Sequence, residues 1–345
     1  MKFGLIGFGA WGQHHAKAIS QAPGGQLVAI ATSSKETADA ARKAYPHAQI
    51  YQDYRQLLAN PDVETADIVV PNHLHGEIGV AALDAGKHVL LEKPMAISRQ
   101  QCDALIAARD RNRRLLTIAH DYRTSRQYVH IKELIEAGDL GEPTYVNINL
   151  FRNPFRHGAQ GWRFSRERVG SWILEEPVHF FDLVLWYMEP HGDPVTIVAA
   201  SSSSDPERGL HDNLSCIMRY NSGAFGVISQ SLAGFQHHTQ VQVVGTAGAA
   251  RTVWSGQLDR DPMPKVSLDV RTRHLAFERG VHECEPVALS ADSEGFKLQS
   301  QINRVINAFE RGEEPTPGKE ARKRVIVCLA AEQSLQEGRE VAIAF

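Results

Sequence analysis

Over its first 120 residues the chain alternates short apolar runs with stretches of helical spacing. Phe3–Ile6, Leu27–Thr32, Ala66–Val70, His88–Leu91 and Leu115–Ala119 are apolar runs of strand length, as expected of strands covered on both faces of a parallel sheet. Between them, Gln13–Gln21, Glu36–Ala44, Asp53–Ala59, His75–Ala85 and Ser98–Arg111 carry helical spacing, with Asp53 and Ser98 placed as N-caps and Gly86 as a stop. The pattern predicts a doubly wound α/β domain.

After His120 the rhythm changes. A helix is predicted over Arg126–Ala137, ending at Gly138, and period-two alternation follows in Thr144–Leu150, Val195–Ala199, Leu214–Tyr220, Phe225–Leu232 and Gln240–Val244, with a turn at Asn221-Ser222-Gly223. These segments predict an open, mainly antiparallel sheet, with helices at Trp172–Tyr187 and Phe296–Glu310 covering one face. The predicted domains are 1–121 and 122–345. At 345 residues, two cores with a cleft between them are expected.

Composition narrows the function classes. The chain is 43% hydrophobic and 22% charged, ordinary for a globular protein, and its net charge of −3 supplies no general field for nucleic acid or an anionic membrane. Cys102, Cys216, Cys284 and Cys328 are scattered without metal-ligand spacing, so no metal is expected and a reduced cytoplasm is the simpler setting. The N-terminus starts directly with strand and turn, with no signal-peptide pattern, and no apolar run reaches membrane-span length.

The chemistry begins at Gly7-Phe8-Gly9-Ala10-Trp11-Gly12, between a strand and a helix. Gly7 permits a tight turn, Gly9 allows backbone to approach a pyrophosphate, and Gly12 allows close packing of helix on sheet. The helix N-terminus then offers free N–H groups to phosphates. At the end of the second strand, Thr32-Ser33-Ser34-Lys35 lacks the acid that would grip ribose hydroxyls, so NADP(H) is favoured over NAD(H). Lys93, in Glu92-Lys93-Pro94, closes a strand at the end where such sheets bind ligands; a cis bond before Pro94 would aim it into the cleft. His179 follows Pro177 in the first turn of a helix, where the dipole favours neutral imidazole, and Glu175 lies four residues before it.

Together with Pro71-Asn72-His73-Leu74-His75, Gly138-x-x-Gly141, the segment Gly170–Asp182 and Gly318-Lys319-Glu320-Ala321, these motifs resemble the Gfo/Idh/MocA oxidoreductases over essentially the whole length. The resemblance implies a Rossmann domain followed by an α/β domain whose open sheet often serves for oligomerisation. It implies that Lys93 and His179 are catalytic and that His75 and Glu92 lie near the nicotinamide ribose; Pro71 and Asn72 join the expected cofactor contacts. Sugar and cyclitol dehydrogenases of the family commonly have aspartate where this chain has Glu175.

On the substrate side, Arg152, Arg156, Trp162 and Arg163 lie between the first strand of the second domain and the helix of His179. Aromatic faces suit a sugar ring and guanidinium groups suit hydroxyls or an anionic substituent. Arg123 and His238, with His237, are further candidates by position. The reading is a nicotinamide-dependent oxidoreductase acting on a secondary alcohol or ketone of a sugar, sugar derivative or cyclitol, working as a homo-oligomer. Glycoside cleavage through a transient redox cycle and a non-catalytic cofactor-binding regulator are the alternatives.

Overall fold

The computed structural model describes residues 1–152, 157–208, 210–234, 236–256, 261, 263–272, 284–290 and 292–345. Its contacts divide the chain into two compact units, Met1–Asp121 with Gly158–Gly170 and Gly295–Val325, and Tyr122–His157 with Ser171–Glu294 and Ile326–Phe345. The consecutive domains expected from the sequence are therefore interleaved: two later segments belong with the first unit.

In the first unit the elements run β1 (Lys2–Ile6), α1 (Ala10–Gln21), β2 (Gln26–Ala31), α2 (Lys35–Ala44), β3 (Gln49–Tyr51), α3 (Tyr54–Leu58), β4 (Thr65–Ile68), α4 (His75–Asp84), β5 (His88–Glu92), α5 (Arg99–Asn112) and β6 (Leu116–Ala119). The strands form one sheet of order β3-β2-β1-β4-β5-β6, parallel throughout. Its order reverses between β1 and β4, the position at which such sheets open a crevice beyond their carboxyl ends. Asp53 and Ser98 cap α3 and α5 through their side chains, accepting from Arg55 N and Gln101 N. Gly86 has φ 75°, as a helix stop requires.

The second unit contains α6 (Arg126–Glu136), β7 (Pro143–Phe151), α8 (Trp172–Glu175), α9 (Val178–Tyr187), β8 (Thr196–Ser202), β9 (Asn213–Arg219), β10 (Phe225–Ser231), β11 (His237–Gly245), β12 (Ala249–Gly256), β13 (Lys265–Arg271), β14 (Glu285–Pro286) and β15 (Val341–Ala342); α7 (Arg166–Val169) and α10 (Glu294–Glu310) fall in or largely in the first, and α11 (Gly318–Glu337) begins in the first and ends in the second. Among the described residues the sheet has order β14-β13-β12-β11-β7-β10-β9-β8-β15. It is mixed: β10 runs parallel to β7, Ile228 opposite Ile148, and the other pairs are antiparallel. Val146, Ile148 and Leu150 bury one face of β7, and α9 packs on that sheet closely enough that a Cβ on Gly226 would lie 2.5 Å from Val184.

Two expectations are corrected. The single helix over Trp172–Tyr187 is two helices broken at Glu176-Pro177, because proline has no N–H to continue the ladder. The helix at Phe296–Glu310 does not cover the second sheet. As part of α10 it lays Leu298, Ile302, Val305, Ile306 and Phe309 on Phe3, Ile19 and Leu90 of the first unit. The same return segment is tied down by Glu314, which receives two bonds of 2.8 Å from Arg109 and one from Leu116 N.

Candidate active site

The phosphate turn of the first unit is built from backbone. Gly7 has φ +102°, and a Cβ there would lie 2.0 Å from Val69 O; a Cβ on Gly12 would lie 2.0 Å from Gly7 O. Glycine is required at both places. At Gly9, in contrast, a Cβ would meet nothing within 4 Å, and no side chain caps the start of α1. An open cradle over an uncapped helix N-terminus fits a dinucleotide pyrophosphate. Phe8 packs into the core with Leu5, Ala16 and Ile30, so the turn has its backbone to offer there, while Ala10 is exposed.

Beside this turn, at the end of β2, Thr32 is buried and its hydroxyl lies 2.6 Å from that of Thr37. Ser34 caps α2, accepting from Thr37 N at 3.1 Å. That leaves Ser33 and Lys35 as the exposed polar groups of the segment whose side chains are not engaged in the α2 cap. At the end of β4, Pro71 leads into a helical turn whose Asn72 donates to Val169 O at 3.0 Å. His75 is buried and both its ring nitrogens face carbonyl oxygens, Pro94 at 2.6 Å and Val70 at 2.8 Å. It braces the strand ends from within.

Glu92 closes β5, Lys93 follows, and the Lys93–Pro94 peptide is cis. Glu92 accepts from Trp11 Nε1 at 3.0 Å, from Lys93 N at 3.2 Å, and faces His15 Nε2 at 3.1 Å. His15 also meets Asp67 at 2.8 Å. Neither His15 nor Asp67 was singled out from sequence, although an acid inside the apolar run of β4 is the signal that was available. Asp121, just beyond β6, has its carboxyl pushed up by burial, against the charges of Lys297 and Lys93.

The second unit carries His179 in the first turn of α9, buried, its ring stacked on Tyr122 at 4.7 Å and 17°. Glu175 is buried at the end of α8, across the break at Pro177, so it and His179 do not share one continuous helix.

Three expected substrate contacts change character. Arg123 is buried and grips Asp182 through one edge of its guanidinium, Nε at 2.9 Å and Nη2 at 2.8 Å. Asp182 lies three residues after His179 on α9, so this pair anchors the helix that presents the imidazole. Arg152 is buried against Glu176 at 2.9 Å. Charges at these depths must be paired, and their acids lie far enough along the chain that sequence inspection does not reveal them. His238 stacks on Phe151 at 5.0 Å, while its neighbours His237 and Thr239 are the buried residues of β11. Strand alternation thus turns His238 to the opposite face of the sheet. Trp162 and Arg163 belong to the first unit, the guanidinium 4.6 Å over the adjacent indole. Arg156 lies outside the described residues.

Residues 1–120 match a family profile described as an oxidoreductase family with an NAD-binding Rossmann fold, and residues 128–251 match the GFO/IDH/MocA C-terminal domain. The chain belongs to the Gfo/Idh/MocA oxidoreductases. Within that family it is 35% identical over 254 residues to an uncharacterized oxidoreductase of Rhizobium meliloti, covering 71% of this chain and 72% of the relative. It is 33% identical over 212 residues, 59% of either protein, to an inositol 2-dehydrogenase of Salmonella typhimurium. A levoglucosan dehydrogenase solved with NADH and levoglucosan shares the fold over all of both chains, with TM-score 0.84 at 21% identity. Like its Gfo/Idh/MocA relatives, the chain is an oxidoreductase with a Rossmann domain and a mixed-sheet second domain. Among the described residues no helix is long and apolar enough to cross a membrane, and no cluster of side chains is suited to hold a metal.

Proposed function

We propose that the protein interconverts a secondary alcohol and a ketone on a sugar, sugar derivative or cyclitol, with NADP(H) favoured as the nicotinamide cofactor. The observation that carries the reading is the arrangement within one parallel sheet: an open glycine cradle after β1 and a lysine after β5, on either side of the switch point. The names of the relatives agree, being an inositol dehydrogenase and a levoglucosan dehydrogenase. When bound, the cofactor supplies hydride exchange at its nicotinamide C4.

The chain's own residues do the rest. The backbone of Gly7–Gly12 and the N-terminus of α1 hold the pyrophosphate, with Asn72 and His75 fixing the neighbouring loops. In oxidation, His179 takes the hydroxyl proton while Lys93 polarises the same oxygen; in reduction they return the proton. Glu175 supports His179. Ser33 and Lys35 are the groups suited to a 2′-phosphate. Because Arg123 and Arg152 are already matched by Asp182 and Glu176, a neutral polyol fits better than an anionic one. We also assign the outward face of the second sheet, with half-exposed Phe151 and Val244, to pairing with another copy of the chain.

The test is direct. NADPH and NADH binding are compared first, and then nicotinamide absorbance is followed against neutral and anionic sugars and cyclitols in both oxidation states. Turnover of a neutral member with either cofactor supports the reading. Cofactor binding without turnover of any member, or products that arise only by glycoside cleavage, overturns it.

A further inference from the structure

Beneath the glycine turn, the first unit buries three ionisable groups in a row. His15 Nδ1 lies 2.8 Å from Asp67 Oδ2, and its Nε2 lies 3.1 Å from Glu92 Oε1. The His15 and Asp67 side chains are 0% exposed and that of Glu92 11%. A neutral imidazole has one N–H and one lone pair. Here both nitrogens face carboxylate oxygens, so a neutral ring would turn its lone pair on an acid, whereas a protonated ring donates to both. The alternative distribution keeps the ring neutral and leaves the proton on a carboxyl.

The remaining contacts favour the protonated ring. Glu92 is an oriented acceptor, with Trp11 Nε1 at 3.0 Å on the same oxygen as His15 and the Lys93 N–H at 3.2 Å on the other. Trp11 and His15 are four residues apart on α1, so one carboxylate at the end of β5 holds two successive turns of that helix. Asp67 pulls the other way: no described residue bonds to its Oδ1 and burial pushes its carboxyl up, with His15 drawing it back down, so the imidazolium is secured from the Glu92 side and by the two carboxylate oxygens facing one ring. Burial works against charge on His15, yet Asp67 and then Glu92 outweigh it and push the imidazole up to about 10. Burial likewise opposes ionisation of Glu92, but His15, Trp11 and Lys93 bring its carboxyl below the usual range. The charged groups bearing on the row are Lys93 at Glu92 and, through Glu92, Asp121.

We propose that His15 is a positioning residue: an imidazolium held between Asp67 and Glu92 that keeps Glu92 an oriented anion, locking the helix of the phosphate turn to the strand end that carries Lys93. The cofactor seat and the proton-handling lysine are then placed by one buried charge. This rests on the proposed function for its consequence, although the protonation state stands by itself.

Protein labelled with ¹⁵N-histidine, free of cofactor, is examined by NMR at about pH 8, where an ordinary histidine is neutral. The signal missing in His15→Gln is expected to show two protonated ring nitrogens; a lone-pair nitrogen on that ring at neutral pH overturns the proposal. In His15→Leu, dissociation constants for NADH and NADPH are expected to rise together by about tenfold, the scale of one lost charge-assisted hydrogen bond. They should also gain a pH dependence in the neutral range as Glu92 takes up a proton, and Glu92→Gln added to that variant should remove it. Wild-type affinity with an unchanged pH profile in folded His15→Leu overturns the proposal. Should that variant not fold, Glu92→Gln alone serves: His15 is expected to lose its proton at lower pH, and unaltered titration overturns the idea. Failure of the wild type to bind NADH or NADPH would count against the proposed function and leave the NMR result standing.

Discussion

The two units present their chemistry in different ways. In the first, the candidate groups are placed by backbone: a left-handed glycine, an uncapped helix start, the ends of β4 and β5. In the second they are placed by which side chain finds which partner, as Arg123 finds Asp182 and His179 lies on Tyr122. A backbone-defined site tolerates exchange of the side chains around it, except one that braces the backbone itself, as His15 does between Asp67 and Glu92. A partner-defined site fails when one member is lost.

The largest effect that sharpens this contrast is expected from the lysine. Lys93→Ala should lower turnover by about 10³-fold, within the range for general acid–base groups, while NADPH binding measured by fluorescence stays near wild type. His179→Phe, which keeps a ring on Tyr122, should cost about 10²–10⁴-fold in turnover with little change in melting temperature. If either variant lost cofactor binding to the same degree as turnover, the division between seat and chemistry would break.

Next comes the buried pair of the second unit. Arg123→Leu strands Asp182 and should destabilise the protein by about 3–5 kcal/mol in urea unfolding. An Arg123→Leu/Asp182→Leu double variant should recover a substantial part of it. A loss below about 1 kcal/mol would place the pair with surface ion pairs and remove the distinction drawn here.

A smaller effect concerns pH. The His15 imidazole is raised from 6.5 to about 10, so the folded state holds a proton that the unfolded state has released between those values. Its stabilising contribution is complete below about 6.5 and is lost as pH rises towards 10. Melting temperature should therefore fall over that interval more steeply in the wild type than in His15→Gln. The smallest effect is expected at the exposed end of β2, where Lys35→Ala should weaken NADPH binding relative to NADH binding by a few-fold, about 1 kcal/mol or less, as screened surface charges allow. No change in the ratio would remove Lys35 from the cofactor site.

The same contrast explains what could be read from the sequence. The glycine turn, the caps Asp53 and Ser98 and the five longer strands of the first sheet depend on local residue types, and they occur where those types predict. The three-residue β3 is too short to carry a period. Amphipathic spacing revealed that the helix of Leu298–Phe309 buries one face, but nothing in its own residues says against which sheet. Arg152 pairs with Glu176, 24 positions away, and Arg123 with Asp182, 59 away, so from the sequence both read as candidates for the substrate rather than as partners of buried acids. That His237 and His238 lie on opposite faces was legible in the alternation along β11, where successive residues change face. Asp67 was visible as an acid inside the apolar run of β4, but its partner His15 is one polar residue of an ordinary helix, and the pair acquires meaning only when the fold joins them.

The return of Gly295–Val325 to the first unit bears on how this protein could be cut or recombined. A fragment stopped after Asp121 would leave Phe3, Ile19 and Leu90 without their helical cover and would be expected to aggregate. Grafting the nucleotide-binding half onto another scaffold would mean transplanting that distant stretch as well, so exchange by a single crossover would not preserve it.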